Sequence, residues 1–384
     1  MSQIITSLLD TDLYKFTMHQ FIFHKHKQLK GKYFFDCRNE NITFSQEIFD
    51  EINNQIDALC NLTFKSDEIE YLRSLNIFAE DYLDFLSIWK PNRNYISISL
   101  EKGKIELTIE GPIYDCTLFE TYLMSIINEC YYNTKNYPEI IKSAWNKLET
   151  KIKKFNNGTY NFKFAEFGTR RRLSKTWQEI AFVNLLYRTN ALNGTSNVYL
   201  SKKFNLTPIG AMAHEIAEIY QIYSPLTANH DMIKDWLDEF RGKFSVIVTD
   251  TLTTNQFLKE FNYQQMDTCI GLRNDSGDPY EWGEKIINYY NHSGIDTSNK
   301  TLLFSNNLSF DEAQKIKTYF KDKNINVGFG IGTQCSNDTM AKPLNIVIKL
   351  QYVDEKPVAK ISDNFEKVMC QDDEYLEELK SLVL

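Results

Sequence analysis

Residues 268–279, TCIGLRNDSGDP, indicate how this chain folds because an apolar run passes directly into a polar turn. The run has the length and composition of a buried β-strand, and a glycine and a proline break the chain after it. The turn carries one cation, Arg273, and two carboxylates, Asp275 and Asp278. On these residues alone, it fits either an Asx-type turn between strand and helix or a site for an anionic, metal-bound ligand.

Similar strand and helix patterns alternate on both sides of this stretch. The predicted strands are 244–250, 268–273, 301–305, 327–331 and 344–350, and the predicted helices are 253–261, 281–292 and 311–323. Alternation with short links predicts parallel strands and right-handed crossovers. A strand at 162–168 makes six, which fits a (β/α) barrel completed by further strands or an open doubly wound sheet. In a barrel, the polar residues at the carboxyl ends of the strands would converge.

The first 130 residues have a different pattern, that of an α+β module. The predicted strands are 33–37, 95–100 and 105–109, of which the last two form a hairpin, and the predicted helices are 13–27, 45–61, 67–75 and 119–132. We therefore expect an N-terminal α+β domain over 1–135, completed by 350–384, and an α/β barrel catalytic domain over 136–349.

The composition indicates a folded protein with a large core. Hydrophobic residues make up 42% of the 384 residues, and the formal net charge is -8. That balance argues against general nucleic-acid binding and against docking on an anionic membrane. Residues 1–12 lack a secretory signal pattern, and no stretch approaches the roughly 18 apolar residues of a membrane helix. Seven scattered cysteines fit reduced thiols, so we expect a cytoplasmic protein.

His214 lies where a proline and a glycine precede a helical pattern over about 212–223. A histidine in the first turn of a helix lies near unpaired backbone N–H groups, which would stabilise a phosphate carried on its ring. The alternative is a histidine that only packs at a helix start. A zinc protease motif is not supported, because Glu218 occupies the position of the second histidine.

Three consecutive arginines, Arg170, Arg171 and Arg172, follow the apolar strand pattern of 162–168. If they extend that strand, side chains alternate, so Arg170 and Arg172 project together. Arginine can hold a carboxylate or a phosphate through two hydrogen bonds, and Gly168 would let a flat ligand approach the backbone. A solvated basic turn is the alternative interpretation.

Gly330, Gly332 and Thr333 follow the predicted strand at 327–331. Two glycines and a hydroxyl form a plausible cradle in which backbone N–H groups hold a terminal phosphate. The pattern is weak, and it lacks both the lysine of a P-loop and the third glycine of a dinucleotide-binding fingerprint.

Seven segments in order along nearly the whole chain resemble the nicotinate phosphoribosyltransferase family. They are 9–15, 166–172, 194–198, the segment around His214, 273–279, 329–333 and 360–363. The resemblance implies a type II phosphoribosyltransferase fold, with an α/β barrel in mid-chain and a separate domain built from both chain ends. It also implies a homodimer with shared active sites, in which Tyr14 reaches the site of the other subunit and not its own.

The resemblance further implies an ATP-dependent reaction of NAD salvage. Nicotinate and phosphoribosyl pyrophosphate give nicotinate mononucleotide and pyrophosphate through a phosphohistidine, with ATP and Mg²⁺ required. The catalytic residues are then His214, which ATP phosphorylates, together with Arg273 and Asp275. Mg²⁺ on the pyrophosphate is expected to be held, indirectly, by Asp275 and Asp278.

The binding residues follow from the same resemblance. Nicotinate would contact Tyr14, Phe167, Arg170, Ser196 and Arg273, with Tyr14 and Phe167 stacking on the ring and Arg273 pairing with the carboxylate. Phosphoribosyl pyrophosphate would contact Arg170, Asp275, Asp278, Ser305, Gly330, Gly332 and Thr333.

Ser196 favours the acid as the substrate. Related nicotinamide-using enzymes carry an aspartate at this place, and a carboxylate there would repel ionised nicotinate. The alternatives are a nicotinamide phosphoribosyltransferase and a non-catalytic barrel that binds a phosphorylated metabolite. The chain departs from the family pattern at Ala211, at Asn306 and over 364–367, which affects the expected contacts with nicotinate and phosphate.

Overall fold

A computed structural model describes residues 2–135, 137–210, 212–365 and 368–384. The chain divides into two compact units. Unit 1 comprises Met1–Ile209 and Ile331–Lys349, and unit 2 comprises Gly210–Gly330 and Leu350–Leu384. The domain boundaries expected from the sequence, 1–135 with 350–384 and 136–349, stay a prediction.

Helices and strands occupy most of the described residues. The strands are β1 (Lys30–Cys37), β2 (Ile96–Glu101), β3 (Lys104–Pro112), β4 (Phe164–Glu166), β5 (Leu192–Thr195), β6 (Val246–Val248), β7 (Gly271–Asn274), β8 (Thr301–Phe304), β9 (Asn326–Ile331), β10 (Ile346–Val353) and β11 (Lys356–Pro357). The α-helices are α1 (Leu13–Lys25), α2 (Gln46–Leu59), α3 (Ser66–Ser74), α4 (Glu80–Ile88), α5 (Ile113–Cys116), α6 (Phe119–Asn133), α7 (Tyr137–Asn156), α8 (Lys175–Arg188), α9 (Val198–Lys203), α10 (Glu215–Tyr220), α11 (Ala228–Phe240), α12 (Thr254–Glu260), α13 (Tyr263–Thr268), α14 (Pro279–His292), α15 (Phe310–Phe320), α16 (Thr333–Ser336) and α17 (Asp373–Val383). Short 3₁₀ helices span Arg93–Tyr95, Thr169–Arg171 and Thr297–Asn299.

Unit 1 contains the predicted hairpin. Strands β2 and β3 pair antiparallel from Ile96 opposite Ile109 to Glu101 opposite Lys104. The connecting residues Lys102 and Gly103 both have positive φ, 49° and 79°, the conformation that a tight two-residue hairpin turn requires. The predicted hairpin is thus confirmed, and strand β1 pairs antiparallel with the other edge of β3.

Helix α6 lies in the core of unit 1. Its sequence, FETYLMSIINECYYN, has apolar residues on all sides, and most of its side chains are buried. A helix that is apolar all round is stable only when other elements surround it. The polar residues that it carries inward, including Glu120, therefore need partners within the unit.

Unit 2 contains the parallel strands predicted from the alternating pattern. Strand β7 lies between β6 and β8, with Arg273 beside both Val248 and Leu303, and β8 pairs in turn with β9. All four strands run in the same direction, and helices α12 to α15 connect them. The residues that follow β6, β7 and β8 consequently meet at one edge of the sheet.

Two expectations about individual strands are corrected by the structure. The strand predicted at 344–350 is β10, but it pairs antiparallel with β11 and does not continue the parallel series. The alternation of strands and helices is a local pattern along the chain, so it does not identify which strand pairs with β10. Strand β5, which pairs parallel with β4, escaped prediction because its four residues, LNGT, lack an apolar run.

The described residues include no helix with the length and apolarity needed to cross a bilayer. All seven cysteines are free thiols, as predicted, and five of them are buried.

Candidate active site

The predicted site residues fall into two groups, one within each unit. In unit 2, Asp250 follows β6, Arg273 lies in β7 and Ser305 follows β8, so the parallel register brings all three to one edge of the sheet. His214 immediately precedes the six-residue helix α10 and points at this edge. The helical pattern predicted over 212–223 is thus shorter than expected, although His214 is at its start as predicted.

The His214 ring is held by a carboxylate. Its Nε2 lies 2.9 Å from Oδ1 of Asp250, and both side chains are buried. Burial of the ring and the nearby Lys360 ammonium lower the pKa of His214 to about 4, although Asp250 opposes that shift. The ring is therefore neutral at pH 7. Because an ionised carboxylate can only accept, Nε2 carries the proton and Nδ1 has the free lone pair.

Asp250 has several partners besides His214. Oδ2 accepts hydrogen bonds from the hydroxyls of Ser276 at 2.5 Å and Ser362 at 3.2 Å, and it lies 2.9 Å from Nζ of Lys360. Burial alone would raise the pKa of Asp250, but Lys360 and His214 together bring it well below its ordinary value. Asp250 is ionised and fixed in position.

Arg273 and Asp275 form the second part of the unit 2 group. Arg273 donates from Nε to Ser305 Oγ at 2.8 Å, from Nη1 to the Met212 carbonyl at 3.2 Å and from Nη2 to Asp275 Oδ1 at 2.9 Å. These contacts use three of its five N–H groups, which leaves two for a ligand. Burial would raise the pKa of Asp275, but Arg273 and Lys360 lower it.

The two carboxylates expected to hold Mg²⁺ already have protein partners. Asp278 caps α14, with Oδ1 accepting from the N–H groups of Tyr280 and Glu281 at 2.8 and 2.9 Å. Asp275 Oδ2 lies 3.5 Å from Nζ of Lys360. These carboxylates fit an ion that substrate oxygens hold in part, and a Mg²⁺ ion held by them alone does not fit.

The unit 1 group centres on Arg170 and Ser196. Arg170 donates from Nη1 to Glu120 Oε1 at 3.1 Å, and Glu120 Oε2 lies 2.6 Å from the buried Nζ of Lys15. Burial would raise the pKa of Glu120, but Lys15, Lys349 and Arg170 lower it. Glu120 is therefore ionised and lies between the cations of Lys15 and Arg170.

Ser196 contacts a carboxyl group that the sequence did not suggest. Its Oγ donates to Asp12 Oδ1 at 2.6 Å, and both residues are buried. Burial raises the pKa of Asp12, although the hydrogen bond from Ser196 opposes that shift.

Tyr14 lies in the same chain as these residues. The Leu13 N–H donates to the Ser196 carbonyl at 2.8 Å, and burial together with Glu120 raises the pKa of the Tyr14 hydroxyl, although Arg170 opposes that shift. The expectation that Tyr14 reaches the site of the other subunit stays a prediction. A homodimer with shared active sites stays a prediction.

The expectation that Arg170 and Arg172 project together is wrong. Thr169–Arg171 is a 3₁₀ helix, so the alternation of a strand does not apply. Arg172 is buried and forms a two-point ion pair with Asp10 at 2.7 and 2.9 Å, whereas Arg171 donates to the Ile346 carbonyl. Arg172 is therefore a structural residue, and Arg170 is the arginine of the three that contacts the Glu120 group.

Gly168 is needed for packing. A Cβ there would lie 2.2 Å from Ser336 Oγ and 2.6 Å from Glu166 Oε1, so protein atoms occupy the space that was expected to admit a flat ligand. Phe167, half-buried, donates its N–H to the Ile331 carbonyl at 2.8 Å. Gly330 lies in β9, and Gly332 precedes Thr333, the first residue of α16.

Glu166 is a buried carboxyl group between the elements that carry Arg170 and Ser196. It accepts from the Gly168 N–H and the Thr195 hydroxyl, each at 2.6 Å, and from the Gln178 amide. Burial raises its pKa to about 7, although these donors oppose the shift.

The sequence prediction omits Asp250 and Lys360, which connect His214 to Asp275. Asp250 follows β6 as Asp275 follows β7, a parallel that the sequence shows. Lys360 begins segment 360–363, which contributes to the family resemblance, but its partner lies 110 residues away. Ala211, Glu366 and Lys367, which belong to the noted departures, lie outside the described residues.

Comparison with family models agrees with the geometry. The nicotinate phosphoribosyltransferase (NAPRTase) family model matches residues 162–383, and the N-terminal domain model of that family matches residues 9–128. Nicotinate phosphoribosyltransferases of Acinetobacter baumannii and Chromobacterium violaceum are 39% and 37% identical to this chain. The alignments cover 100% and 99% of the chain, and 98% and 97% of the relatives.

Solved structures are similar over the same length. A Vibrio cholerae nicotinate phosphoribosyltransferase has a TM-score of 0.92 at 33% identity, covering 99% of this chain and 94% of that one. A Porphyromonas gingivalis nicotinate phosphoribosyltransferase has a TM-score of 0.90 at 30% identity, covering 99% and 100%. The predicted α/β fold of the type II phosphoribosyltransferase kind is confirmed.

Proposed function

This chain belongs to the nicotinate phosphoribosyltransferase family, and on that premise we propose that it joins nicotinate to phosphoribosyl pyrophosphate. The products are nicotinate mononucleotide, a precursor in NAD salvage, and pyrophosphate. The observation that carries the proposal is the group formed by His214, Asp250, Arg273 and Asp275 at one edge of the parallel sheet.

Catalysis of the transfer step depends on orienting the two substrates and on stabilising the charge that develops, and less on proton transfer. The pyridine nitrogen attacks the anomeric carbon of the ribose, forming a C–N bond as the C–O bond to pyrophosphate breaks. That nitrogen already has a lone pair, so no general base is needed. Asp275, Asp278 and Ser305 would bind the sugar and the pyrophosphate with its Mg²⁺, and Gly330, Gly332 and Thr333 would bind the 5′-phosphate.

The free N–H groups of Arg273 support nicotinate as the substrate. The two N–H groups of Arg273 that make no contact among the described residues could donate to the carboxylate of the acid. Arg170, held by Glu120, adds a second cation, and Ser196 adds no charge of its own. Tyr14 and Phe167, both half-buried, would stack on the pyridine ring.

The state of His214 supports ATP coupling through a phosphohistidine. Nδ1 of the neutral ring would attack the γ-phosphorus of ATP, so that an N–P bond forms, the bond to the bridging oxygen breaks and ADP leaves. Asp250 keeps the proton on Nε2 and so directs the reaction to Nδ1. Water would later accept the phosphoryl group and return the free ring.

Labelled substrates test this proposal. The protein should form labelled nicotinate mononucleotide from nicotinate and phosphoribosyl pyrophosphate faster with ATP, and label from γ-labelled ATP should map to His214 as an acid-labile phosphate. His214→Ala should abolish ATP hydrolysis and leave slow transfer at high phosphoribosyl pyrophosphate. His292→Ala changes an exposed histidine and should have no effect. ATP hydrolysis at the parental rate in His214→Ala would disprove the phosphohistidine.

The same assay distinguishes the alternatives. A preference for nicotinamide at equal concentration would indicate a nicotinamide phosphoribosyltransferase. Binding of phosphoribosyl pyrophosphate without product formation from either base would indicate a barrel that only binds a phosphorylated metabolite.

A further inference from the structure

We propose that Lys360 is the resident cation of the His214 site: a positioning residue that holds Asp250 and Asp275 beside the ring and takes the place of a metal ion. The part that concerns phosphorylation rests on the proposed function above. The part that concerns charge and metal binding depends only on the geometry of unit 2.

Lys360 lies between the two carboxylates that contact His214. Its Nζ is 2.9 Å from Asp250 Oδ2 and 3.5 Å from Asp275 Oδ2. The same carboxylates lie 2.9 and 3.7 Å from Nε2 of His214. The ammonium thus connects both acidic partners of the ring, and its own side chain is 8% exposed.

The backbone on both sides of Lys360 is fixed. Gln221 pairs with Ala359 through two hydrogen bonds, its amide donating to the carbonyl at 2.8 Å and its oxygen accepting the N–H at 2.9 Å. Ile361 donates its N–H to the Thr251 carbonyl at 2.8 Å. These hydrogen bonds therefore hold the segment that carries Lys360 beside the residues that follow β6.

Among His214, Asp250, Arg273, Asp275 and Lys360, the formal charges balance when Lys360 is present. Asp250 and Asp275 contribute two negative charges, Arg273 and Lys360 two positive ones, and His214 is neutral. Without Lys360, Arg273 would be the remaining cation for the buried Asp250 and the partly exposed Asp275, and of these two carboxylates it contacts Asp275. A phosphoryl group on the ring would add further negative charge, which the remaining cation could not offset.

The same residues offer the ligand set of a divalent metal when the ammonium is absent, provided that the ring proton of His214 moves from Nε2 to Nδ1. The nearest ligand atoms of His214, Asp250 and Asp275 all lie within 4.8 Å of one another. One imidazole and two carboxylates suit Mn²⁺ or Zn²⁺, and Lys360 competes directly for the carboxylates. In the wild-type protein the site should therefore exclude the metal.

Two substitutions of Lys360 and one control test the proposal. Lys360→Met keeps an unbranched side chain without charge, and Lys360→Arg keeps the charge. Lys300→Met is the control, because Lys300 is equally buried in unit 2 but its Nζ contacts the carbonyls of Asp267 and Cys269. A lysine that served only stability would affect folding in both methionine variants and nothing else.

Metal binding gives a readout that does not require catalysis. In Mn²⁺ titrations followed by electron paramagnetic resonance, without substrates, we expect no Mn²⁺ at this site in wild type or Lys360→Arg. We expect one Mn²⁺ per chain in Lys360→Met, lost when Asp275→Asn is added. Mn²⁺ binding by wild type that Asp275→Asn removes, or none by folded Lys360→Met, overturns the proposal. If Lys360→Met does not fold, Mn²⁺ binding by Lys360→Arg overturns it.

Phosphorylation gives the second readout. We expect the phosphoenzyme formed from labelled ATP to fall at least tenfold in Lys360→Met, to recover in Lys360→Arg and to stay at the wild-type level in Lys300→Met. Equal loss in Lys300→Met would show a general effect of buried lysines and overturn the positioning role. Absence of phosphoenzyme in wild type would count against the proposed function, whereas the Mn²⁺ result would still decide the role of Lys360.

Discussion

His214 Nε2 lies 2.9 Å from Asp250 Oδ1, and this single contact determines which nitrogen of the ring is free. The carboxylate is buried. It also accepts hydrogen bonds from the hydroxyls of Ser276 and Ser362 and pairs with the ammonium of Lys360, so it is fixed in place. The tautomer of His214 is thus set by a residue 36 positions away, at the end of another strand.

Asp250→Asn should lower ATP hydrolysis by about two orders of magnitude. The amide keeps the size of the carboxylate, but its NH₂ can donate to Nε2 and so favour a proton on Nδ1, which removes the nucleophile. The rate of phosphohistidine formation from labelled ATP measures the effect. Asp235→Asn, a change at a half-buried aspartate that accepts from Tyr220, is the matched control. An unchanged rate in Asp250→Asn would show that the tautomer of His214 does not control phosphohistidine formation.

Arg273→Ala should raise the nicotinate concentration for half-saturation at least a hundredfold. The substitution leaves the nicotinate carboxylate unpaired in a partly buried site. Arg273→Lys keeps the charge but not the two-point fork, so we expect partial recovery. Steady-state kinetics with nicotinate varied measure both, alongside thermal unfolding, because Arg273 also contacts Ser305 and Met212. An unchanged half-saturation point would assign the carboxylate to another arginine.

Ser196→Asp should weaken nicotinate binding and shift the preference towards nicotinamide. The new carboxylate would face both the buried Asp12, now 2.6 Å from Ser196 Oγ, and the ionised substrate. We expect the kcat/KM ratio of nicotinamide to nicotinate to rise by at least tenfold. Ser196→Ala removes the hydrogen bond without adding charge and should leave that ratio within a few fold. An equal ratio in both variants would contradict the charge argument.

Glu166 should make stability depend on pH. Its folded pKa, about 7, lies above the ordinary 4.5, so the folded protein binds this proton more tightly than the unfolded chain. Its contribution is therefore full below about pH 4.5 and falls by about 3 kcal/mol as pH rises through 7. The glutamine of Glu166→Gln has no titratable group. The unfolding free energy of this variant relative to that of wild type should therefore rise by the same amount as pH increases.

Urea unfolding of wild type and Glu166→Gln at pH 4.5 to 8 measures this difference. Glu47→Gln, at an exposed glutamate, serves as the control and should show a difference that does not change over this range. A constant difference for Glu166→Gln would show that Glu166 is ionised throughout and that its hydrogen-bond donors outweigh burial.

Local patterns predicted the elements that depend on local physics. The hairpin around Gly103, three of the four α-helices between β6 and β9 and the polar strand ends were recognised from side-chain periodicity and turn residues. The same patterns failed at Arg170–Arg172, because three polar residues after a strand do not distinguish a continued strand from a 3₁₀ turn.

The sequence alone determined the family, the alternation of strands and helices, and the presence of His214, Arg273 and Asp275, because each is encoded in a short continuous segment. Only the tertiary structure decided what those residues contact. Asp250 lies near Asp275 because β6 pairs with β7, and Lys360 reaches both acids because Gln221 and Thr251 fix a distant segment. Burial then sets the charges, since a pKa depends on neighbours that are close in space and not in sequence.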